Sequence, residues 1–261
     1  LPVLTKAARA AQAGEPVAVS ASLVDILLTV AADEELEPAF RAQALALPSE
    51  SDIARELGGD NDPDAIHVGR EAVLVALAKA GASVFAALYD RHAATGAFSP
   101  DAASAGRRAL RNAALTFLSI AEGDPKRAAE AYAAANNMTD LSQALSVLAH
   151  RFPEAKETAA TLQAFEARFA DNPLVLDKWF AIQATIPGAQ TLEHVRSLMA
   201  SPHYAAGNPN RVRSLIGTFA FGNPTGFNRA DGAAYAFLAE QIISIDKRNP
   251  QLAARILTSM R

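Results

Sequence analysis

Apolar residues recur along this chain at three- and four-residue spacing, and almost nowhere in strict alternation, so the pattern is helical. Leu110, Ala114, Phe117, Leu118 and Ala121 form one stripe within a helix expected from Ser99-Pro100 to Glu122. Leu141, Leu145, Leu148 and Phe152 form another, in a helix starting at Thr139 or Asp140. Leu23, Ile26, Leu27 and Val30 are expected to point inward from a helix over 20–32. Val175, Trp179, Ile182 and Ile186 share a face that Leu176 and Phe180 widen, so the helix opened by Asn172-Pro173 is expected to be central. Similar patterns predict helices over 5–13, 38–46, 64–94, 126–135, 153–170, 191–200 and 231–245, and a last one after Pro250 that stops at Arg261. The total is about fourteen, with no convincing strand.

The breaks between them have a common grammar. Asx-Pro occurs at Asp62, Asp124, Asn172, Asn208, Asn223 and Asn249. An Asx side chain accepts a free N–H at a helix start, and proline suits the first turn because it needs no donor there. No strict period links these points, so the chain is not a regular tetratricopeptide or ankyrin array. Short links between helices favour antiparallel neighbours. The expected fold is all-α: one domain over 1–261, an irregular α-solenoid of paired antiparallel helices with a concave side.

Composition agrees. Half of the residues are hydrophobic but only 7% are aromatic, which suits closely packed helices better than a sheet sandwich. The net charge of −4 lacks the basic excess of a nucleic-acid binder, and the 18 arginines are dispersed. Cysteine is absent, so neither a disulfide nor a thiolate metal site is available, which fits a cytoplasmic, reducing setting. No apolar run reaches the ~18 residues of a membrane span. The chain begins at Leu1 without an initiator methionine and is expected to be a piece of a longer polypeptide.

Candidate chemistry is sparse. Asp60, Asp62 and Asp64 with Glu71 sit at positions one, three, five and twelve of a calcium loop, but Ala65 replaces the required glycine. A helix cap at Asp62 is the better reading. Asp33, Glu34, Glu35 and Glu37 read as a solvated helix start. Arg107, Arg108 and Arg111 lie off their helix's core stripe, where they either grip an anion or are solvated and paired with acids. The histidines, His67, His92, His150, His194 and His203, show no metal-binding spacing. No zinc helix, nucleophile elbow or phosphate-binding glycine loop occurs.

The stretch from Asn208 to Gly217 is the most informative. Asn208 and Pro209 start a helix, and Val212, Leu215, Ile216 and Phe219 recur on one face. Arg213 lies roughly 110° from the middle of that face at ~100° per residue, placed to look across a surface or a cavity.

This stretch, together with Arg107-Arg108-Ala109-Leu110-Arg111-Asn112-Ala113, Ala135-Asn136-Asn137-Met138-Thr139-Asp140, Asp177-Lys178-Trp179-Phe180 and Arg248-Asn249-Pro250-Gln251, resembles the C-terminal domain of the bacterial aminopeptidase N family. The order and spacing of five motifs match over essentially the whole chain. The resemblance implies a HEAT/armadillo-like superhelix, part of a zinc metallo-aminopeptidase that removes N-terminal residues from peptides. It implies a non-catalytic lid that encloses the active-site cavity and docks on the catalytic domain of the same polypeptide. The zinc would belong to that parent enzyme, with none in this part, and a few more helices would follow Arg261. By motif position Arg213 and Arg255 would face the peptide channel, with Gln251 nearby.

Gln251 and Arg255 are i, i+4 neighbours off the Leu252, Ile256, Met260 face. A guanidinium suits a peptide's free carboxylate, and equally an internal ion pair that holds the solenoid turns. A free-standing scaffold that binds a protein on its concave face is the competing function. The two differ in solution: a lid separated from its catalytic domain is expected to be sticky or dimeric, a scaffold monomeric.

Overall fold

Each of the six Asx residues accepts a backbone N–H at a helix start in the computed structural model, which describes residues 1–93 and 96–260. Asp62 takes Asp64 N at 2.9 Å and Asp124 takes Lys126 N at 2.7 Å. Asn172, Asn208, Asn223 and Asn249 take Val175, Asn210, Gly226 and Leu252 N at 3.3, 2.9, 2.9 and 3.0 Å. Asp62 is thus a cap, as the missing calcium-loop glycine predicts.

The described residues form helices and no strand. They are α1 (Pro2–Gln12), α2 (Ala21–Ala32), α3 (Pro38–Ala44), α4 (Glu50–Leu57), α5 (Pro63–Ala80), α6 (Ala82–Arg91), α7 (Ala102–Glu122), α8 (Lys126–Ala134) and α9 (Met138–Arg151). Then come α10 (Lys156–Arg168), α11 (Pro173–Ala184), α12 (Thr191–Leu198), α13 (Pro209–Val212), a π-helical turn (Arg213–Gly217), α14 (Thr218–Gly222), α15 (Pro224–Phe227), α16 (Ala233–Asp246), α17 (Pro250–Leu257) and a 3₁₀ turn (Thr258–Met260). With α13, the π turn and α14 counted as one continuous helix, there are sixteen rather than about fourteen.

Two differences account for the count. Helix α4 escapes the apolar pattern because it buries only Ile53. Its signal is a capping box: Ser49 Oγ accepts Asp52 N at 3.1 Å, and Asp52 Oδ2 accepts Ser49 N at 3.2 Å. The long helix expected over 64–94 is broken at Gly81, where α5 and α6 meet at 74°. A Cβ on Gly81 would sit 2.3 Å from Leu28 Cδ2 and 2.6 Å from Phe85 Cε2, so the absent side chain lets those two close the corner. The expected end at Ala94 lies outside the described residues, as does Arg261. No single described helix is long and apolar enough to cross a membrane.

The chain divides into two compact units, 1–157 and 158–261. The main core of the first is built on α5, α6 and α7, where Leu74, Leu77, Leu110, Phe117 and Leu118 bury the expected stripe and Phe85 stacks on Phe117 at 4.5 Å. Helix α1 lies against α5 at Gly69, where an added Cβ would come within 2.6 Å of Ala8 N. On α2 the inward face is Val24 and Ala31, with Leu27 and Leu28 half-buried; Ile26, expected inside, is 61% exposed. The apolar residues of α2 cover more than half its circumference, so spacing alone does not select the buried side.

The second unit is held by aromatic contacts. Trp179 meets Phe180 at 4.9 Å, and Phe219 meets Phe227 and Phe237 at 5.8 and 6.4 Å, all edge-on. Helix α11 is central, and of its expected face Leu176, Trp179, Phe180 and Ile186 are buried while Val175 and Ile182 are half-buried; Gln183 and Ala184 join the buried side. Gln183 is tolerated there because its amide is satisfied: it donates to Trp179 O at 3.1 Å and accepts from His194 Nε2 at 3.0 Å.

Candidate functional site

The π turn follows from one backbone choice. Thr218 N–H bonds to Arg213 O, five residues back, and Thr218 Oγ1 reaches the same oxygen at 3.1 Å. In an undisturbed helix Thr218 would lie about 140° from Arg213 around the axis, at ~100° per residue. The i, i+5 bond instead stacks the two on one wall. Arg213, Gly217, Thr218 and Phe221 therefore line one side of an open groove of about 460 Å³, and Arg255, Ile256 and Thr258 line the other. Val212, Leu215, Ile216 and Phe219 are buried on the far face, as their spacing predicts.

The groove gathers Arg213 and Arg255, two of the three residues singled out from the sequence. Both are exposed, and among the described residues neither is ion-paired. Arg213 donates to the side-chain oxygen of Asn210, one turn back. Gln251 is exposed one turn before Arg255 on α17 but is not part of the groove lining. The floor is apolar, with Phe221 half exposed and Ile256 buried beneath. Two free guanidinium groups over an apolar floor can hold a carboxylate or another small anion.

The arginine that sequence reasoning passed over is Arg211. It is buried, and its Nη1 pairs with Asp177 Oδ1 at 2.8 Å. Ser214 Oγ donates to the same oxygen at 3.1 Å, and the guanidinium lies 4.9 Å over the Phe180 ring. Trp179 Nε1 donates to Leu162 O at 3.0 Å. Two conspicuous motifs, Asp177-Lys178-Trp179-Phe180 and Asn208 to Gly217, are thus halves of one buried contact. That contact fixes the turn from which Arg213 projects. An alternating Arg-x-Arg pair of which one member must face the core was the available signal.

Asn223 performs the same service at the next corner. Its Nδ2 donates to Ala184 O and Ile186 O at 3.0 and 2.7 Å while its Oδ1 caps α15, so one buried amide joins three segments.

Among the described residues no three His, Asp or Glu side chains converge on a point that would suit a metal. His67 and His203 instead pair with Glu50 and Glu166 at 2.7 and 3.5 Å, and burial pushes His194 down, keeping it neutral beside Gln183.

Over residues 3–261 the chain matches the family model described as "Domain of unknown function (DUF3458_C) ARM repeats". It is 40% identical over 238 residues to aminopeptidase N of Caulobacter vibrioides and 37% identical over 248 residues to aminopeptidase N of Escherichia coli. Those matches cover 89% and 94% of this chain but 27% and 28% of the relatives. The crystal structure of Legionella pneumophila aminopeptidase A in complex with aspartic acid superposes with a TM-score of 0.86 at 26% identity, covering 98% of this chain and 31% of that one. The chain thus spans less than a third of the length of these relatives.

Proposed function

This chain belongs to the DUF3458_C ARM-repeat family, and from its likeness to a part of aminopeptidase N we propose that it is the non-catalytic lid of a zinc aminopeptidase. In this reading it docks on the catalytic domain of the same polypeptide and narrows the path by which peptides reach the active site. The metal and the bond cleavage belong to the rest of the parent enzyme.

One observation carries the assignment of a role: Arg213 and Arg255, 42 positions apart in sequence, present two unpaired guanidinium groups to one groove. A guanidinium with no carboxylate partner among the described residues is available for one from outside. An aminopeptidase substrate bound by its N-terminus presents its free C-terminal carboxylate at the far end. The groove would take that carboxylate, with Gln251 on the same face of α17 meeting the preceding peptide group. The half-exposed Phe221 would pack against apolar substrate side chains.

The test is kinetic, in the full-length parent enzyme. Arg213→Ala or Arg255→Ala is expected to lower kcat/KM for a free tripeptide about tenfold, the loss of one charge-assisted contact, while leaving a neutral leucine anilide nearly unchanged. Equal losses on both substrates would show that the arginines do not read the carboxylate.

A further inference from the structure

The first unit contains a second cationic site that the lid reading does not use. Arg107, Arg108 and Arg111 stand on α7, and they line a pocket of about 200 Å³ with His92, Ser99, Asn136 and Asp140. Each guanidinium is held by a neutral oxygen, with the Asp101 carboxylate near enough to Arg107 to feel its charge. Arg107 Nη2 donates to Ser104 Oγ at 2.7 Å. Arg108 Nη1 donates to Ser99 O at 2.7 Å and lies 4.6 Å over the Phe98 ring. Arg111 Nε donates to Tyr89 O at 3.3 Å and lies 4.1 Å over the Tyr89 ring.

The lining contains one acid, Asp140, and it is already occupied. Its Oδ1 accepts from Asn112 at 2.9 Å and its Oδ2 from Asn137 at 2.7 Å. Among the described residues none of the three arginines is ion-paired. Two atoms of the lining residues, Arg108 Nε and His92 Nε2, are buried from solvent with no hydrogen-bond partner. Buried polar groups are normally satisfied, and Arg108 Nε can only donate, so it lacks an acceptor here. Burial first, and then the charges of Arg41, Arg91 and Arg107, push His92 down, so the surrounding field is positive. Each arginine is a donor whatever the state of His92.

We propose that this pocket binds a compact, doubly charged oxyanion of the phosphate type, with Arg107, Arg108 and Arg111 as its donors. A monovalent carboxylate offers two acceptor oxygens and one charge to three guanidinium groups. A phosphate offers four oxygens and about one and a half charges at neutral pH, rising toward two when cations surround it, and it fits a space of this size together with water.

The experiment is calorimetric titration of the full 261-residue chain with inorganic phosphate, in parallel with acetate, at ionic strength held constant with sodium chloride. Saturable one-site binding of phosphate and none of acetate is expected. Arg107→Gln, at an exposed residue with no core contact, is expected to weaken phosphate about tenfold, one charge-assisted hydrogen bond's worth. Arg111→Gln should do the same, and circular dichroism would verify that both variants keep their helix. A phosphomonoester such as glycerol phosphate replaces inorganic phosphate in a third arm; tighter binding of the ester supports the proposal and identifies a phosphorylated metabolite as its source. No phosphate binding up to about 10 mM, or binding that both variants retain unchanged, would overturn the proposal.

Discussion

Replacing Asp177 with Ala attacks the contact that sets the second unit's geometry. Arg211 would keep its charge at a site where its side chain is 5% exposed, with no counter-ion, and Ser214 would lose an acceptor. Removing one partner of a buried pair typically costs 3–5 kcal/mol. Asp177 is itself 19% exposed, so water can reach part of the site and the lower end, about 3 kcal/mol, is expected. The reporter is built in: Trp179, the sole tryptophan, is buried two residues from Asp177 in the same unit. Its fluorescence in a urea titration of the full chain follows that unit. With a urea slope of about 1.5 kcal/mol per molar, the midpoint should fall by about 2 M. The paired replacement Asp177→Leu with Arg211→Met removes both charges and keeps the volume, and should recover most of the loss. A midpoint shift below about 0.5 M for Asp177→Ala, or a double variant no more stable than the single, would refute the reasoning.

Two further outcomes bear on the first unit. Gly69→Ala gains roughly 1 kcal/mol of helix propensity but places a Cβ 2.6 Å from Ala8 N, so a net loss of about 1–3 kcal/mol is expected; an unchanged or raised Tm would deny the close approach of α1 and α5. His67 is raised above its ordinary 6.5 chiefly by the hydrogen bond to Glu50, with burial opposing. Its stabilisation is therefore complete below pH 6.5 and is lost as pH rises through the higher folded-state value. The Tm gap between the native chain and His67→Gln should be wider at about pH 5.5 than at about pH 8.5, and an equal gap at both would contradict the pairing.

Much of this protein is local, and local features are legible in sequence. The Asx-Pro starts need only neighbouring residues, and all six accept a backbone N–H at a helix start. The stripe of α7 and the buried face around Val212, Leu215, Ile216 and Phe219 follow from periodicity alone, because one strongly apolar side leaves no choice of orientation. Where apolar residues cover most of a helix, as on α2 and α11, the sequence names the helix and tertiary packing selects the face. Ile26 ended outside and Gln183 inside for that reason.

Three things were decided only in three dimensions. The corner at Gly81 exists because Leu28 comes from another helix to fill the space a side chain would need. Arg211, not Arg213, is the buried member of its pair because Asp177, 34 positions earlier, is there to neutralise it. The groove that joins Arg213 to Arg255 depends on a π turn, which is one backbone hydrogen bond shifted by one residue. Helical spacing places Arg213 off the core, but it contains no term for which distant side chain will face it. Residue order fixed which groups could pair, and long-range packing, where each burial must satisfy a charge or fill a void, selected the pairs that formed.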